Sequence, residues 1–327
     1  MRFRDFGKTG WRVSEIGFGG ARIGGLLAQD GGRATSLRML EAACDAGINF
    51  YDTADMYAQG ESEILIGKAF RKRRDKIFIA TKGGYCLPAR KKFIQLIKPL
   101  AKPIVRAIGL RRNAVPAARP GVISQDFSPR HLRKAVEASL RRLQSDHIDL
   151  YQLHSPPREA LLGTQLQDAL GLLARLKAEG KIREYGIALD SADDAALCLG
   201  MDGITSLQIP FGLMDLEALD AVFDKVSERK YGIITRGCFG GGALKQSLTE
   251  ADLRAIEPKW ERVLQIRRFA EQMHRSPLEA ALQFSLSIKR SSITILGMRT
   301  PQHLAVNLQY YRARPLSNEE KRELLTR

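Results

Sequence analysis

Short apolar runs alternate with longer amphipathic stretches along most of the chain. Eight of the runs have the length and composition of buried strands, and lie near Glu15–Phe18, Ile48–Tyr51, Ile77–Thr81, Ile148–Leu153, Glu184–Ala188, Ser206–Ile209, Gly232–Thr235 and Ser292–Leu296. Between them, apolar residues recur with helical periodicity over Thr35–Ala46, Pro129–Leu143, Leu166–Glu179, Leu216–Glu228 and Leu278–Ile288. Eight strands with intervening helices predict an α/β fold and favour a closed (β/α)8 TIM barrel over an open sheet.

Two features lie outside the plain strand–helix repeat. The segments Phe3–Phe6 and Trp11–Val13, around Gly-Lys-Thr-Gly, predict an N-terminal β-hairpin. The second feature is a long connection over residues 85–125, between the third barrel strand and a helix that Ser128 is expected to cap. Barrels of this class often exceed the usual domain size, so we expect residues 1–327 to form a single domain.

The connection over residues 85–125 carries much of the net charge of +16. No acidic residue lies between Asp75 and Asp126, whereas residues 90–119 contain nine basic ones. Apolar residues recur at helical spacing through it, and Pro99 and Pro103 interrupt them, which predicts short amphipathic helices over the barrel mouth. Such a flap could cover an apolar or anionic ligand, or contact an anionic membrane or acidic partner weakly. A solvated helical hairpin is the alternative.

Bulk composition narrows the class of protein further. The first residues lack the apolar region of a signal peptide, and no run reaches the roughly 20 apolar residues that span a bilayer. The four cysteines show no metal-ligand spacing, which predicts reduced thiols in a cytoplasmic protein and no metal site. The basic segment has few aromatic residues, so no nucleic-acid partner is expected.

Four polar residues lie in or just past the predicted strands. Asp52 and Tyr57 belong to the segment from Gly47 to Tyr57, Lys82 ends the third strand, and His154 ends the fourth. The carboxyl ends of barrel strands meet on one face, so these side chains are expected to converge. There Lys82 would favour the phenolate of Tyr57, Asp52 would orient Lys82, and the set could deliver a proton to a nascent alkoxide. Alternatively, Asp52 and Lys82 form a buried structural pair.

These four residues, with Gly60-Glu-Ser-Glu63 and the stretch from Ile295 to Asn307, resemble the aldo-keto reductases of bacterial type. The resemblance runs nearly end to end. It implies reduction of an aldehyde or ketone to an alcohol, with Tyr57 as general acid, Lys82 and Asp52 tuning it, and His154 orienting the substrate. It also implies a nicotinamide cofactor without a dinucleotide fingerprint, and Gly17-Phe-Gly-Gly20 indeed lacks the third glycine of that motif.

The resemblance also assigns the cofactor residues. Gln208 matches the glutamine that holds the carboxamide, and Arg236 matches a residue that stacks on the nicotinamide. Gly297 opens a turn before a helix over Thr300–Tyr310 whose amides face phosphate. Arg299 is placed for a 2′-phosphate, which implies NADPH, with NADH less expected, unless it is an exposed surface arginine. His303 and Asn307 match residues near the adenosine.

The chain departs from the family pattern after the fifth strand. Ala188 and Leu189 stand where Ser-Asn commonly grips the nicotinamide amide, and Val306 stands where a glutamate contacts adenine. His303 replaces a frequent arginine or glutamine. Asp190 and Ser191 follow directly in the chain and are candidates to substitute for the missing groups. These departures keep open a second function, that of a cofactor-binding regulatory or redox-sensing subunit with little turnover. The pattern leaves the physiological substrate and the oligomeric state open.

Overall fold

Eight parallel strands close into a barrel. The computed structural model describes residues 1–24, 32–86, 124–226 and 231–325. Its strands are β1 (Phe3–Asp5), β2 (Arg12–Ser14), β3 (Ile16–Gly19), β4 (Phe50–Asp52), β5 (Phe78–Gly83), β6 (Tyr85–Cys86), β7 (Ser124–Gln125), β8 (Ile148–His154), β9 (Ile182–Ala188), β10 (Ser206–Pro210), β11 (Gly232–Arg236) and β12 (Ile293–Gly297). All except β1, β2, β6 and β7 form the barrel, in chain order, with β12 beside β3. The predicted (β/α)8 TIM barrel is confirmed.

Helices follow most of the barrel strands. They are α1 (Gly32–Asp45), α2 (Glu61–Phe70), α3 (Pro129–Leu143), α4 (Arg158–Leu162), α5 (Thr164–Ala178), α6 (Ala192–Leu197), α7 (Glu250–Ile256), α8 (Trp260–Gln272), α9 (Pro277–Ser287), α10 (Pro301–Arg312) and α11 (Asn318–Leu325). As predicted, Ser128 caps α3, because its hydroxyl accepts the backbone N–H of His131. None of the helices in these described ranges is long and apolar enough to cross a membrane.

The chain divides into two compact units. The central unit comprises residues 18–188 and 297–300, and the terminal unit comprises residues 1–17, 189–296 and 301–327. The prediction that residues 1–327 form one domain stays a prediction.

In the central unit, strand alternation sends neighbouring side chains to opposite faces. Lys82 of β5 approaches Asp52 of β4, whereas Thr81 donates a hydrogen bond to Glu63 of α2. Likewise Tyr51, beside Asp52, donates to the carbonyl oxygen of Leu40 in α1 and packs on Phe70 of α2. The strands therefore place the Asp52 and Lys82 side chains on one face, while Tyr51 and Thr81 on the other face contact the helices.

The N-terminal hairpin anchors the terminal unit. β1 and β2 pair antiparallel, as predicted. Arg4 forms an ion pair with Glu15 and donates to the carbonyl oxygens of Leu286, Ile288 and Ser291, which close the end of α9. Phe6, which is completely buried, lies directly against Gly232 at the start of β11. Only a residue without a side chain leaves room for that ring.

Two predicted elements differ from the structure in detail. The helix predicted over Leu216–Glu228 is only a π-helical turn at Leu219–Phe223 within the described residues, which end at 226 here. That wide turn buries both Val222 and Phe223, and Phe223 packs edge-on against Phe211 with 5.0 Å between ring centres. In addition, β5 ends at Gly83, so Lys82 lies inside its strand.

The long connection after β5 begins and ends in a small sheet. β6 and β7 pair antiparallel, with Tyr85 opposite Gln125 and Cys86 opposite Ser124. Residues 87–123, which include the basic stretch 90–119, lie outside the described residues. The helical flap and its membrane or acidic partner therefore stay predictions.

Replacing Gly232 by alanine should destabilise the protein. The added Cβ would lie 2.5 Å from the Phe6 ring, and such overpacking costs about 1–3 kcal/mol. Denaturant unfolding measures the loss in the free energy of unfolding. The control is Gly171→Ala, a position in α5 with ample room, where alanine should stabilise by roughly 0.5–1 kcal/mol. Equal effects of the two variants would contradict the proposed Phe6 contact.

Candidate active site

A buried ion pair lies at the centre of the candidate site. Lys82 Nζ is 2.7 Å and 2.8 Å from the two carboxylate oxygens of Asp52, and 2.9 Å from the carbonyl oxygen of Thr53. Lys82 is only 1% exposed and Asp52 5%. Burial lowers the pKa of Lys82, but the Asp52 carboxylate and the Tyr57 phenol raise it further, so the net pKa is raised. Lys82 therefore stays a cation whose three N–H groups are directed by fixed acceptors.

Tyr57 extends from an unusual turn beside this ion pair. Lys82 Nζ lies 5.1 Å from the centre of the Tyr57 ring. The next three residues, Ala58, Gln59 and Gly60, all adopt left-handed φ angles of 47°, 60° and 86°. Such backbone is unfavourable for residues other than glycine and persists only where surrounding contacts enforce it. The turn therefore fixes where the phenol emerges.

Arg142 and Ser62 hold that turn. A Cβ on Gly60 would lie 2.7 Å from the Arg142 side chain, so glycine is required there for space as well as for its φ angle. Ser62 accepts a hydrogen bond from Thr53 and donates one to the carbonyl oxygen of Gly20, at 2.8 Å and 2.9 Å. The segment Gly60-Glu-Ser-Glu63 thus joins the tyrosine loop to β3 and α3.

His154 completes the cluster at the end of β8. Its ring meets the Tyr57 ring edge-on at 5.8 Å and the Tyr85 ring edge-on at 4.8 Å. The Gln125 amide donates to the carbonyl oxygens of His154 and Ser155, at 3.0 Å and 2.8 Å. The central unit therefore brings together Asp52, Tyr57, Lys82 and His154, and the β6–β7 sheet supports the histidine. The sequence pattern gave no sign of Tyr85 or Gln125.

A second polar layer lies behind the first and was also missed from the sequence. Glu63, which is completely buried, accepts hydrogen bonds from Thr81 at 2.6 Å and from Arg142 at 2.5 Å. Burial, then the nearby Glu63 carboxylate, raises the pKa of Asp55 to about 7. Burial, then Asp55, also raises the pKa of Tyr151. Asp55 Oδ1 and the Tyr151 hydroxyl have no hydrogen-bond partner in the described ranges.

Of the residues assigned to a nicotinamide cofactor, four lie in the terminal unit. Gln208 and Asn307 are buried at 1% and 6% exposure, and His303 is partly exposed. Asn307 Nδ2 is buried without a hydrogen-bond partner among the described residues, as expected of a donor that awaits a base edge. Arg236 donates to Asp190 at 2.6 Å and to the carbonyl oxygen of Leu189 at 2.9 Å. This donor set fits the cofactor.

The other two cofactor residues lie in the central unit. Gly297 ends β12 with open space where a Cβ would stand, and Arg299 follows it, partly exposed. Arg299 is therefore neither fully solvated nor fully buried.

The positions that depart from the family pattern are apolar and buried. Ala188 and Leu189 are 2% and 1% exposed and offer no side-chain hydrogen bond. The Ser191 hydroxyl caps α6, accepting from the Asp194 amide at 3.0 Å, while Asp190 pairs with Arg236. Ser191 is thus engaged in its own helix, and Asp190 acts on Arg236.

Comparison with known proteins identifies the family. Residues 15–324 match the aldo/keto reductase family. The chain is 26% identical to the aldo-keto reductase YhdN of Bacillus subtilis (strain 168), over 100% of this chain and 93% of that protein. It is 29% identical to a D-threo-aldose 1-dehydrogenase of a Pseudomonas species, over 92% and 90%. A solved holo form of an aldo-keto reductase from Bacillus halodurans gives a TM-score of 0.78 at 26% identity, over 99% and 95%.

The chain therefore belongs to the aldo/keto reductase family. Members of this family are oxidoreductases that act on carbonyl or alcohol groups with a nicotinamide cofactor, and this protein is such an enzyme.

The Asp55→Asn variant should change how stability depends on pH. The pKa of Asp55 is about 7 in the folded protein against an unfolded value near 3.8, so folding takes up a proton. Its neutral form thus favours folding below about pH 4, and that contribution is lost as pH rises through 7. Asparagine stays neutral and should be the more stable form at pH 8, by up to about 4 kcal/mol, with little difference at pH 4.

Denaturant unfolding between pH 4 and pH 8 measures this difference. Asp168→Asn, at an exposed position of α5, is the matched control and should follow the wild-type curve. Parallel curves for Asp55→Asn and the wild type would contradict the buried, proton-binding carboxyl group.

Proposed function

We propose that the protein is an NADPH-dependent reductase that converts an aldehyde or ketone into an alcohol, with Tyr57 as the general acid. The observation that carries the proposal is the cluster around the Asp52–Lys82 ion pair, where Lys82 Nζ lies 5.1 Å from the Tyr57 ring centre. The hydride would come from the bound nicotinamide dinucleotide.

The protein's own residues supply the proton and its control. As negative charge develops on the carbonyl oxygen, Tyr57 would donate its hydroxyl proton to that oxygen. Lys82 would stabilise the phenolate that remains, and Asp52 keeps Lys82 charged and directed. His154, edge-on to Tyr57, would hold the carbonyl oxygen near the phenol. In the oxidative direction the same phenolate would accept the alcohol proton.

The preference for NADPH rests on Arg299. It lies between β12 and the first turn of α10, where a guanidinium can pair with a 2′-phosphate. The N-terminal amides of α10 would add a favourable field for phosphate. Gln208, Arg236, His303 and Asn307 would hold the remainder of the cofactor. The Pseudomonas relative is named as an aldose dehydrogenase, so a panel of test substrates should include sugar aldehydes.

Replacing Tyr57 by phenylalanine should reduce kcat about 10²–10⁴-fold, because the proton donor is removed while the ring remains. NADPH affinity should be nearly unchanged. Stopped-flow oxidation of bound NADPH by a generic aldehyde measures the chemical step. The control is Tyr310→Phe near the end of α10, which should react like the wild type. A Tyr57→Phe variant that keeps most of the wild-type kcat would contradict the proposed role. A wild type that binds NADPH without oxidising it would instead support the regulatory alternative.

Replacing Arg299 by alanine should weaken NADPH binding about ten- to a hundredfold and leave NADH binding similar. The reason is that only NADPH carries the 2′-phosphate, and a charge-assisted hydrogen bond contributes about 1.5–3 kcal/mol. Fluorescence titration with both cofactors gives the two dissociation constants. Arg312→Ala, at the exposed end of α10, is the matched control. Equal losses for both cofactors would mean that Arg299 supports the fold, and no loss would mean that it faces solvent.

A further inference from the structure

Three potential metal ligands meet where the small sheet joins α3. Cys86 ends β6, Asp126 follows β7, and His131 lies in the first turn of α3. Cys86 Sγ lies 3.9 Å from His131 Nδ1, and Asp126 Oδ2 lies 3.9 Å from the same nitrogen. The three ligand atoms are all within 4.8 Å of one another, and all three residues are partly exposed. A thiol, an imidazole and a carboxylate therefore meet where an ion could enter.

The backbone around these ligands is well fixed. The Asp126 amide donates to the carbonyl oxygen of Gly84 at 2.8 Å, and the Ser128 amide donates to Asp126 Oδ1 at 2.8 Å. That second bond leaves Oδ2 as the oxygen that faces His131. These two hydrogen bonds hold Asp126 in place beside His131.

We propose that Cys86, Asp126 and His131 form a zinc(II) site, with a water molecule or another small ligand as the fourth group. Zinc binds thiolate, imidazole and carboxylate at about 2.0–2.3 Å in tetrahedral geometry. Ligand atoms around such a centre are about 3.3–3.6 Å apart, so small side-chain rotations would close the present distances. The thiolate disfavours magnesium and calcium, which prefer oxygen ligands.

This site differs from the metal-free protein predicted from the sequence. Cys86 lies far from Asp126 and His131 in the chain, the three match no metal-binding spacing, and the pairing of β6 with β7 brings Cys86 to the other two. The neighbouring residues reach the active site, since Tyr85 packs on His154 and Gln125 binds the His154 carbonyl oxygen. Zinc would therefore fix the same small sheet that supports His154. The binding test below does not depend on the proposed reductase activity.

The experiment uses the full-length protein, freed of metal with a chelator and checked for folding by circular dichroism. Competition with a chromophoric zinc chelator should show one tight site per chain. Cobalt(II) should give a thiolate-to-metal charge-transfer band in the near ultraviolet and the intense visible bands of a tetrahedral ion. Zinc should also raise Tm, since it binds the folded protein selectively.

Variants identify the ligands. Cys86→Ser and His131→Asn should each weaken zinc binding by at least about 100-fold and abolish the charge-transfer band or shift it, and Asp126→Asn should weaken binding about tenfold. The controls are Cys44→Ser and His274→Asn, which change the same residue types elsewhere and should bind zinc like the wild type. All variants should match the wild-type Tm without metal. Absence of stoichiometric binding, or binding that survives both Cys86→Ser and His131→Asn, would overturn the proposal.

Discussion

The buried Asp52–Lys82 ion pair is the constraint on which the site depends. Both groups are almost fully removed from water, and a buried charge is tolerable only if its partner remains. Removing one partner of such a pair costs about 3–5 kcal/mol, because the other charge is left uncompensated. Asp52 and Lys82 lie on neighbouring strands, so the attraction that orients the ammonium also depends on the register of β4 and β5. A structural role for the Asp52–Lys82 pair is therefore compatible with a role in the chemistry. The same contact can serve the barrel and the acid–base chemistry proposed for Tyr57.

The polar layer behind the strands explains how Tyr57 is held. Thr81 is adjacent to Lys82 and points the other way, to Glu63, which in turn binds Arg142. Arg142 fills the space beside Gly60, where the left-handed turn after Tyr57 ends. Strain of about 1–2 kcal/mol for each of Ala58 and Gln59 is thus offset by contacts from two helices. Tyr57 lies in the turn after β4 and is positioned through α2 and α3 as well as through that strand. A substitution in this layer could then move the phenol without touching it.

The sequence predicted the barrel and the convergence of the four central residues because both follow from simple periodicities. Buried parallel strands are continuous apolar runs, and their carboxyl ends meet on one face. It did not predict Asp55, Tyr151 and Glu63 as a cluster, since their contacts depend on how helices pack on the outer face of the strands. The wide turn at Leu219–Phe223 was missed because apolar spacing alone does not distinguish it from an α-helix. Tyr85, Gln125, Cys86 and His131 come together through the pairing of two-residue strands, for which local sequence carries almost no signal.

In the proposed cofactor site, the buried Ala188 and Leu189 would shift the balance of cofactor binding toward the adenosine end. Two side-chain hydrogen bonds to the nicotinamide amide, each worth about 0.5–1.5 kcal/mol, are unavailable there. In their place, the Leu189 carbonyl oxygen and Asp190 hold the Arg236 guanidinium. A guanidinium held by two acceptors can still stack on a ring. It does not replace the hydrogen bonds that a serine–asparagine pair would make to the carboxamide. Affinity would therefore depend more on Arg299 and Asn307, and orientation of the nicotinamide more on Gln208. In such an enzyme, the 2′-phosphate contact would supply a larger share of the cofactor affinity than in an enzyme that also hydrogen-bonds the carboxamide, because fewer other contacts contribute.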